Sequence, residues 1–169
     1  ARRLIQLGDA RFAKQEFHTA RQYYKSAIET APDLVDAYVR EGFALLTINQ
    51  HRTATRALKI ALELDASYVK SEFRLEDIYR DNHLAKESHL ESVANKALAN
   101  PDDADLLFLV GMMLYADGEH ERAYRFLGRA AQLGGPEAAR LLAPLLEAAA
   151  PAEVVPPDPD RSGPAGTDI

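Results

Sequence analysis

Residues 35–64, VDAYVREGFALLTINQHRTATRALKIALEL, decide the fold. Tyr38, Gly42, Leu45 and Leu46 recur at intervals of three and four, the spacing that gathers residues on one helical face. Asn49-Gln50 interrupts the pattern as a turn. Ala54, Leu58, Ala61 and Leu62 then restart it and carry it to Asp65. The stretch therefore reads as two amphipathic helices joined by a tight connection.

The same pattern recurs on both sides. Gly8 stands 34 residues before Gly42, and Gly111 stands 69 after it, two periods with one insertion. Ala20, Ala54 and Ala123 keep these intervals, as do Ala27, Ala61 and Ala130, and Tyr24, Leu58 and Leu127. A fixed period of this length marks stacked helical hairpins. The reading gives repeats at about 1–34, 35–68, 69–103 and 104–135. The small residues let paired helices approach closely, toward the short end of the usual ~8–10 Å. On this reading Gly8 faces Ala20, Gly42 faces Ala54, and Gly111 faces Ala123.

The third repeat departs from the pattern. Leu75, Ile78 and Tyr79 serve its first helix, and Leu90, Val93, Ala97 and Leu98 its second. Glu76, His89 and Lys96 stand where the others have small residues, which predicts looser packing with these side chains turned out or hydrogen-bonded. Gly134-Gly135 stops the fourth repeat, and Pro136 starts a further helix at a position that suits proline. Leu141, Leu142, Leu145 and Leu146 give that helix, 136–150, an apolar face that caps the array; Pro144 is expected to kink or split it. From Pro151 to Ile169 the composition turns to Pro, Gly and Asp, as in a linker or tail. Its stretch 152–158 is partly apolar and acidic, a candidate ligand for the chain's own binding surface.

These residues resemble the tetratricopeptide repeat family. Leu4, Leu7, Gly8, Ala20, Tyr24, Ala27 and Pro32 fit its pattern in the first repeat, and Tyr38, Gly42, Leu45, Ala54, Leu58 and Ala61 in the second. Leu107, Gly111, Leu114, Ala123, Leu127 and Ala130 fit it in the fourth. The resemblance implies an all-α right-handed superhelix of four hairpins plus a C-terminal capping helix. It also implies a non-enzymatic scaffold whose first helices line a concave groove for a peptide or a partner helix. By phase, that groove takes Phe12, Arg40, Phe43, Lys70, Phe73, Arg74, Phe108, Met112 and Tyr115. An aromatic and Met stripe would then flank a basic centre suited to an acidic or C-terminal peptide. The competing reading packs the rings between helices and pairs the cations with Asp36, Asp77 and Asp105.

Lys70 and Arg74 match the lysine and arginine of tetratricopeptide proteins that bind chaperone tails. Ile5, Asp9 and Arg40 stand where lysine and asparagines are expected, and Asp9 would repel a carboxylate, so that specialised clamp is not expected.

Composition narrows the function further. The chain has 169 residues, 47% of them hydrophobic, enough for one cored domain. A net charge of −6 argues against nucleic acid as the main partner, since phosphate binding needs a concentrated basic face. With no cysteine there is no disulfide or thiolate chemistry. The five histidines lack the i, i+3 or i, i+4 spacing of helical metal sites, and no nucleophile elbow or phosphate loop is present. No metal, cofactor or catalytic residue is expected. The start, Ala1-Arg2-Arg3-Leu4-Ile5, reads as amphipathic helix rather than signal peptide, and no apolar run reaches the length of a membrane span. The expectation is a soluble chain of open compartment, the cytoplasm favoured, that binds protein or peptide. The alternatives are a self-associating structural subunit and, more remotely, an enzyme with an unrecognised groove site.

Overall fold

Helices are broken in this chain by left-handed residues placed on the repeat clock. The computed structural model describes residues 1–71 and 73–151. Gln15, Asn49 and Gly118 adopt φ of 62°, 60° and 81°. Each lets the following amide reach back five residues: Glu16 to the Arg11 carbonyl, Gln50 to Leu45, and Glu119 to Leu114. These bonds satisfy carbonyls orphaned at a helix end and reverse the chain within a few residues.

The hairpins so made are α1 (Arg2–Phe12) with α2 (Phe17–Thr30), α3 (Val35–Thr47) with α4 (His51–Leu64), and α7 (Ala104–Ala116) with α8 (His120–Ala149). Between α4 and α7 lie a 3-10 turn (Ala66–Lys70), the short α5 (Glu76–Tyr79) and α6 (His83–Ala99). No strand occurs among the described residues. This is the all-α helical-repeat architecture that the period requires, and no helix among the described residues is long and apolar enough to cross a membrane.

The glycines set the seam within each hairpin, and the side chain nearest to each belongs to the large residue one turn beyond the expected alanine. A Cβ on Gly42 would lie 2.6 Å from Leu58 Cγ, and one on Gly111 would lie 2.6 Å from Leu127 Cγ. A Cβ on Gly8 would overlap the Tyr24 ring. Glycine therefore makes room for the large residue of the second helix. Ala20, Ala54 and Ala123 are fully buried one turn before it, and the Ala54 carbonyl lies 3.5 Å from the Gly42 Cβ position.

The third unit enters the stack through its second helix, α6. α2 packs on α3, and both α6 and α4 pack on α7. Lys59 of α4 bonds Asp105 of α7 at 2.9 Å. The segment between them folds over the hairpins: α5 packs on α1, and the 3-10 turn packs on α4 and α8. The residues that replace small ones here all find polar partners. Lys86 pairs with Glu76 at 2.7 Å and with Asp117. His89 Nδ1 lies 3.0 Å from the Tyr79 hydroxyl. Lys96 donates to Asn49 Oδ1 at 2.7 Å.

α8 breaks at Gly135, whose φ of 77° is left-handed, and not at Pro144. Backbone dihedrals stay helical through Pro144, so the helix is not split there. The carbonyl that loses its donor belongs to Arg140, an exposed residue where water can replace the bond. Leu142, Leu145 and Ala149 of this last stretch are buried, and Leu141 and Leu146 pack on the same core.

Candidate functional site

The first repeat puts a tyrosine where the second and fourth have leucine, and a polar network follows from that choice. Tyr24 is fully buried, so its hydroxyl needs a partner. It donates to Asp9 Oδ1 at 2.8 Å. Asp9 is then a buried carboxylate that needs a cation. Arg40 of α3 supplies it, with Nε 3.0 Å from Oδ1 and 3.3 Å from Oδ2. The Arg40 Nη1 also reaches Asp36 Oδ1 at 2.6 Å. The same Asp36 oxygen accepts from the Tyr68 hydroxyl at 2.6 Å. Five residues from three helices and the 3-10 turn thus form one chain of bonds.

Electrostatics agree with that burial. Desolvation pushes the Asp9 carboxyl up from its ordinary value, and the Arg40 guanidinium and Tyr24 hydroxyl oppose the rise. Burial raises the Tyr24 and Tyr68 phenols, and their carboxylate partners raise them further. Both phenols therefore stay protonated as donors.

Beside this network lies an aromatic stack. The Phe73 ring rests 5.8 Å from Phe43 with an interplanar angle of 18°. The Arg40 guanidinium carbon stands 4.9 Å from the Phe73 centroid. Phe73 is therefore held between a ring and a cation, both favourable contacts. A cavity of about 30 Å³ lies against the stack, bordered by Val39, Phe43, Phe73, Met112, Tyr115 and Leu145. That is room for a water or two and not for a side chain.

The residues expected to line an open groove separate into three groups. Phe12, Phe43 and Phe108 are fully buried and Met112 nearly so, which corrects their placement on an accessible surface. Phe12 meets Phe17 and Tyr79 edge-on at 5.0 and 4.8 Å. Lys59 Nζ lies 5.7 Å from the Phe108 ring. The physical reason for Phe12 and Phe43 is that the chain's own segment lies over them through Tyr79 and Phe73. Phe73, Tyr115 and Arg40 form the second group, half-buried at the edge of the cavity and network. Tyr115 stacks on His120 at 4.8 Å. Arg74 stands apart, exposed, with Nη1 on the Phe73 carbonyl at 2.9 Å. The Lys70 side chain and the tail stretch 152–158 lie outside the described residues.

Arg40 is not a vacant clamp. Its side chain is 11% exposed and faces two carboxylates. Tyr68 is the contributor that the repeat phase hid, because it falls at the end of the second repeat, outside the inward positions. Among the described residues no group of three or more His, Asp or Glu is placed to hold a metal ion.

No protein-family model matches the sequence. No curated protein matches it. Among solved structures, one described as the MamA RS-1 ArsTM double mutant is 14% identical, with 87% of this chain and 93% of that one covered and a TM-score of 0.39. A MamA protein crystal structure is 18% identical, with 86% and 89% covered and a TM-score of 0.38. A further MamA crystal structure is 20% identical, with 84% and 87% covered and a TM-score of 0.36. Nothing about partner or activity follows from scores of this size.

Proposed function

We propose that this chain is a non-enzymatic protein-interaction module that holds an extended aromatic segment against the face made by α1, α3 and α7. The observation that supports this reading is how Phe73 is gripped. Its ring lies between Phe43 and Arg40 while the nearby Tyr68 hydroxyl bonds Asp36. A helical face that seats irregular backbone by ring and hydroxyl has the elements of peptide recognition. Arg40, Phe43, Met112 and Tyr115 are the floor of this site.

The preferred ligand is aromatic rather than acidic, since Asp9 and Asp36 already neutralise Arg40. A peptide-display selection against the folded chain tests the reading. The expected result is enrichment of peptides with two aromatic residues, weakened by Asp36→Asn. Recovery of no motif above the starting library would refute it.

A second reading, a self-associating subunit, draws on α6. Leu84 and Leu98 are 81% and 72% exposed there, on related faces of one helix. Light scattering across a hundredfold dilution distinguishes it: a constant monomer mass removes this reading.

A further inference from the structure

The inference rests on reading the face of α1, α3 and α7 as the binding surface. We propose that the stretch carrying Tyr68, Ser71 and Phe73 is a resident occupant of that surface, which a partner segment of like chemistry displaces. The repeat phase calls for a helix at this point of the chain. Among the described residues only Glu76–Tyr79 forms an α-helix there; Ala66–Lys70 run as a 3-10 turn, and Phe73 and Arg74 take no regular structure. The stack is already continuous without them, because α4 packs on α7.

Their contacts are those a ligand would make. Tyr68 reaches Asp36, Phe73 stacks on Phe43, and the Leu75 amide donates to the Ala116 carbonyl at 3.1 Å. Each contact goes to a different point on α3 or α7, and each spans thirty or more residues of sequence.

The occupant also fits imperfectly. The cavity of about 30 Å³ remains against Phe73 and Phe43. Arg80, which closes the segment, holds φ 53° and ψ −130°, a backbone conformation that a side chain disfavours. The rim is open to an incoming chain at Asp36, whose side chain is 44% exposed, and at the exposed Arg74. A partner whose ring seats without leaving that void competes on favourable terms.

The resident residues state the chemistry of that partner. It is an extended peptide with a tyrosine, a second aromatic residue five positions later, and a leucine-like residue two beyond, as in Tyr68, Phe73 and Leu75. When a surface is available only a fraction of the time, the apparent Kd rises by the inverse of that fraction. Removing the resident ring must therefore tighten binding in trans.

A fluorescein-labelled peptide copying residues 66–77, titrated by anisotropy into the full chain, tests this. The expected result is binding to Phe73→Ala at least about tenfold tighter than to the unsubstituted chain, with Tyr68→Phe in between. Tyr68→Phe removes one hydroxyl only and keeps the test decisive should Phe73→Ala unfold. A peptide with its own phenylalanine changed to alanine is expected to bind none of the three. Equal affinity for all three proteins overturns the resident occupant and leaves the binding face standing. Binding to none of them overturns both. Dimers formed by exchange of the segment between copies would overturn the assignment to a separate partner.

Discussion

Replacing Gly42 with alanine should destabilise the protein, although the same change inside a helix ordinarily stabilises. Gly42 lies within α3, where alanine is favoured over glycine by about 0.8–1.0 kcal/mol. The new Cβ would stand 2.6 Å from Leu58 Cγ and 2.8 Å from Cδ2. Carbon atoms rest at about 3.5–4.0 Å, so Leu58 must retreat by nearly 1 Å. It is fully buried and has nowhere to go. Overpacking of this kind costs about 1–3 kcal/mol beyond what propensity returns, and at this chain length each kcal/mol lowers Tm by about 2–4 °C.

The diagnostic is a double-mutant cycle. Leu58→Ala alone should cost about 2–5 kcal/mol. In that background the clash is gone, so Gly42→Ala should recover about 1 kcal/mol. The coupling energy between the two sites is then about 2–4 kcal/mol. Urea unfolding followed by far-UV circular dichroism measures all four proteins. A stabilised Gly42→Ala, or the same loss in both backgrounds, would refute the account of the seam.

Arg40→Met should cost about 3–5 kcal/mol by stranding Asp9, whose side chain is 10% exposed, and urea titration at pH 7 reads the loss. His89 is half-buried against Phe17 and Tyr79, and that burial lowers its pKa from the ordinary 6.5. The unfolded chain then binds the proton more readily, so the contribution is full above pH 6.5 and is lost as pH falls through the window below it. The urea midpoint should drop between pH 7.5 and 5.5, and His89→Gln should shrink that drop; His51, shifted the same way by burial, keeps part of it. Pro144→Ala should raise Tm by several degrees, because it restores a helix donor where the backbone is already helical. An unchanged or lowered Tm counts against the straight passage through Pro144.

The hairpins were legible because one turn chemistry repeats at a fixed interval and the apolar faces keep phase with it. Gln15, Asn49 and Gly118 terminate helices by the same bond, whatever tertiary partner is present. Pairing small with small is the obvious packing guess, yet Gly8, Gly42 and Gly111 make room for Tyr24, Leu58 and Leu127.

The third unit was misread for a deeper reason. Leu75, Ile78 and Tyr79 keep helical spacing and are all buried. What shortens the helix is the attachment of Tyr68 to Asp36 and of Phe73 to Phe43, contacts across some thirty residues that local propensity does not carry. The groove residues went astray with it. Aromatic residues on the first helices look the same in sequence whether they face solvent or a piece of their own chain. The Asp9–Arg40 pair was hidden likewise, since only the fold shows that Tyr24 needs a carboxylate.

The contact of α4 with α7 also bears on how the chain reaches this state. In an ordinary array each unit touches only the next, so folding can start anywhere and spread along the chain. Here Lys59 meets Asp105 and Asn49 meets Lys96, closing loops of more than forty residues. Loop closure must be met before those contacts reward it, and contacts of high sequence separation slow the search. The first two hairpins can zip locally, but α7 cannot dock on α4 until the intervening chain has turned back. Refolding should therefore show a fast phase that forms helix and a slower one that excludes water from Phe108 and Leu109, in place of repeat-by-repeat propagation.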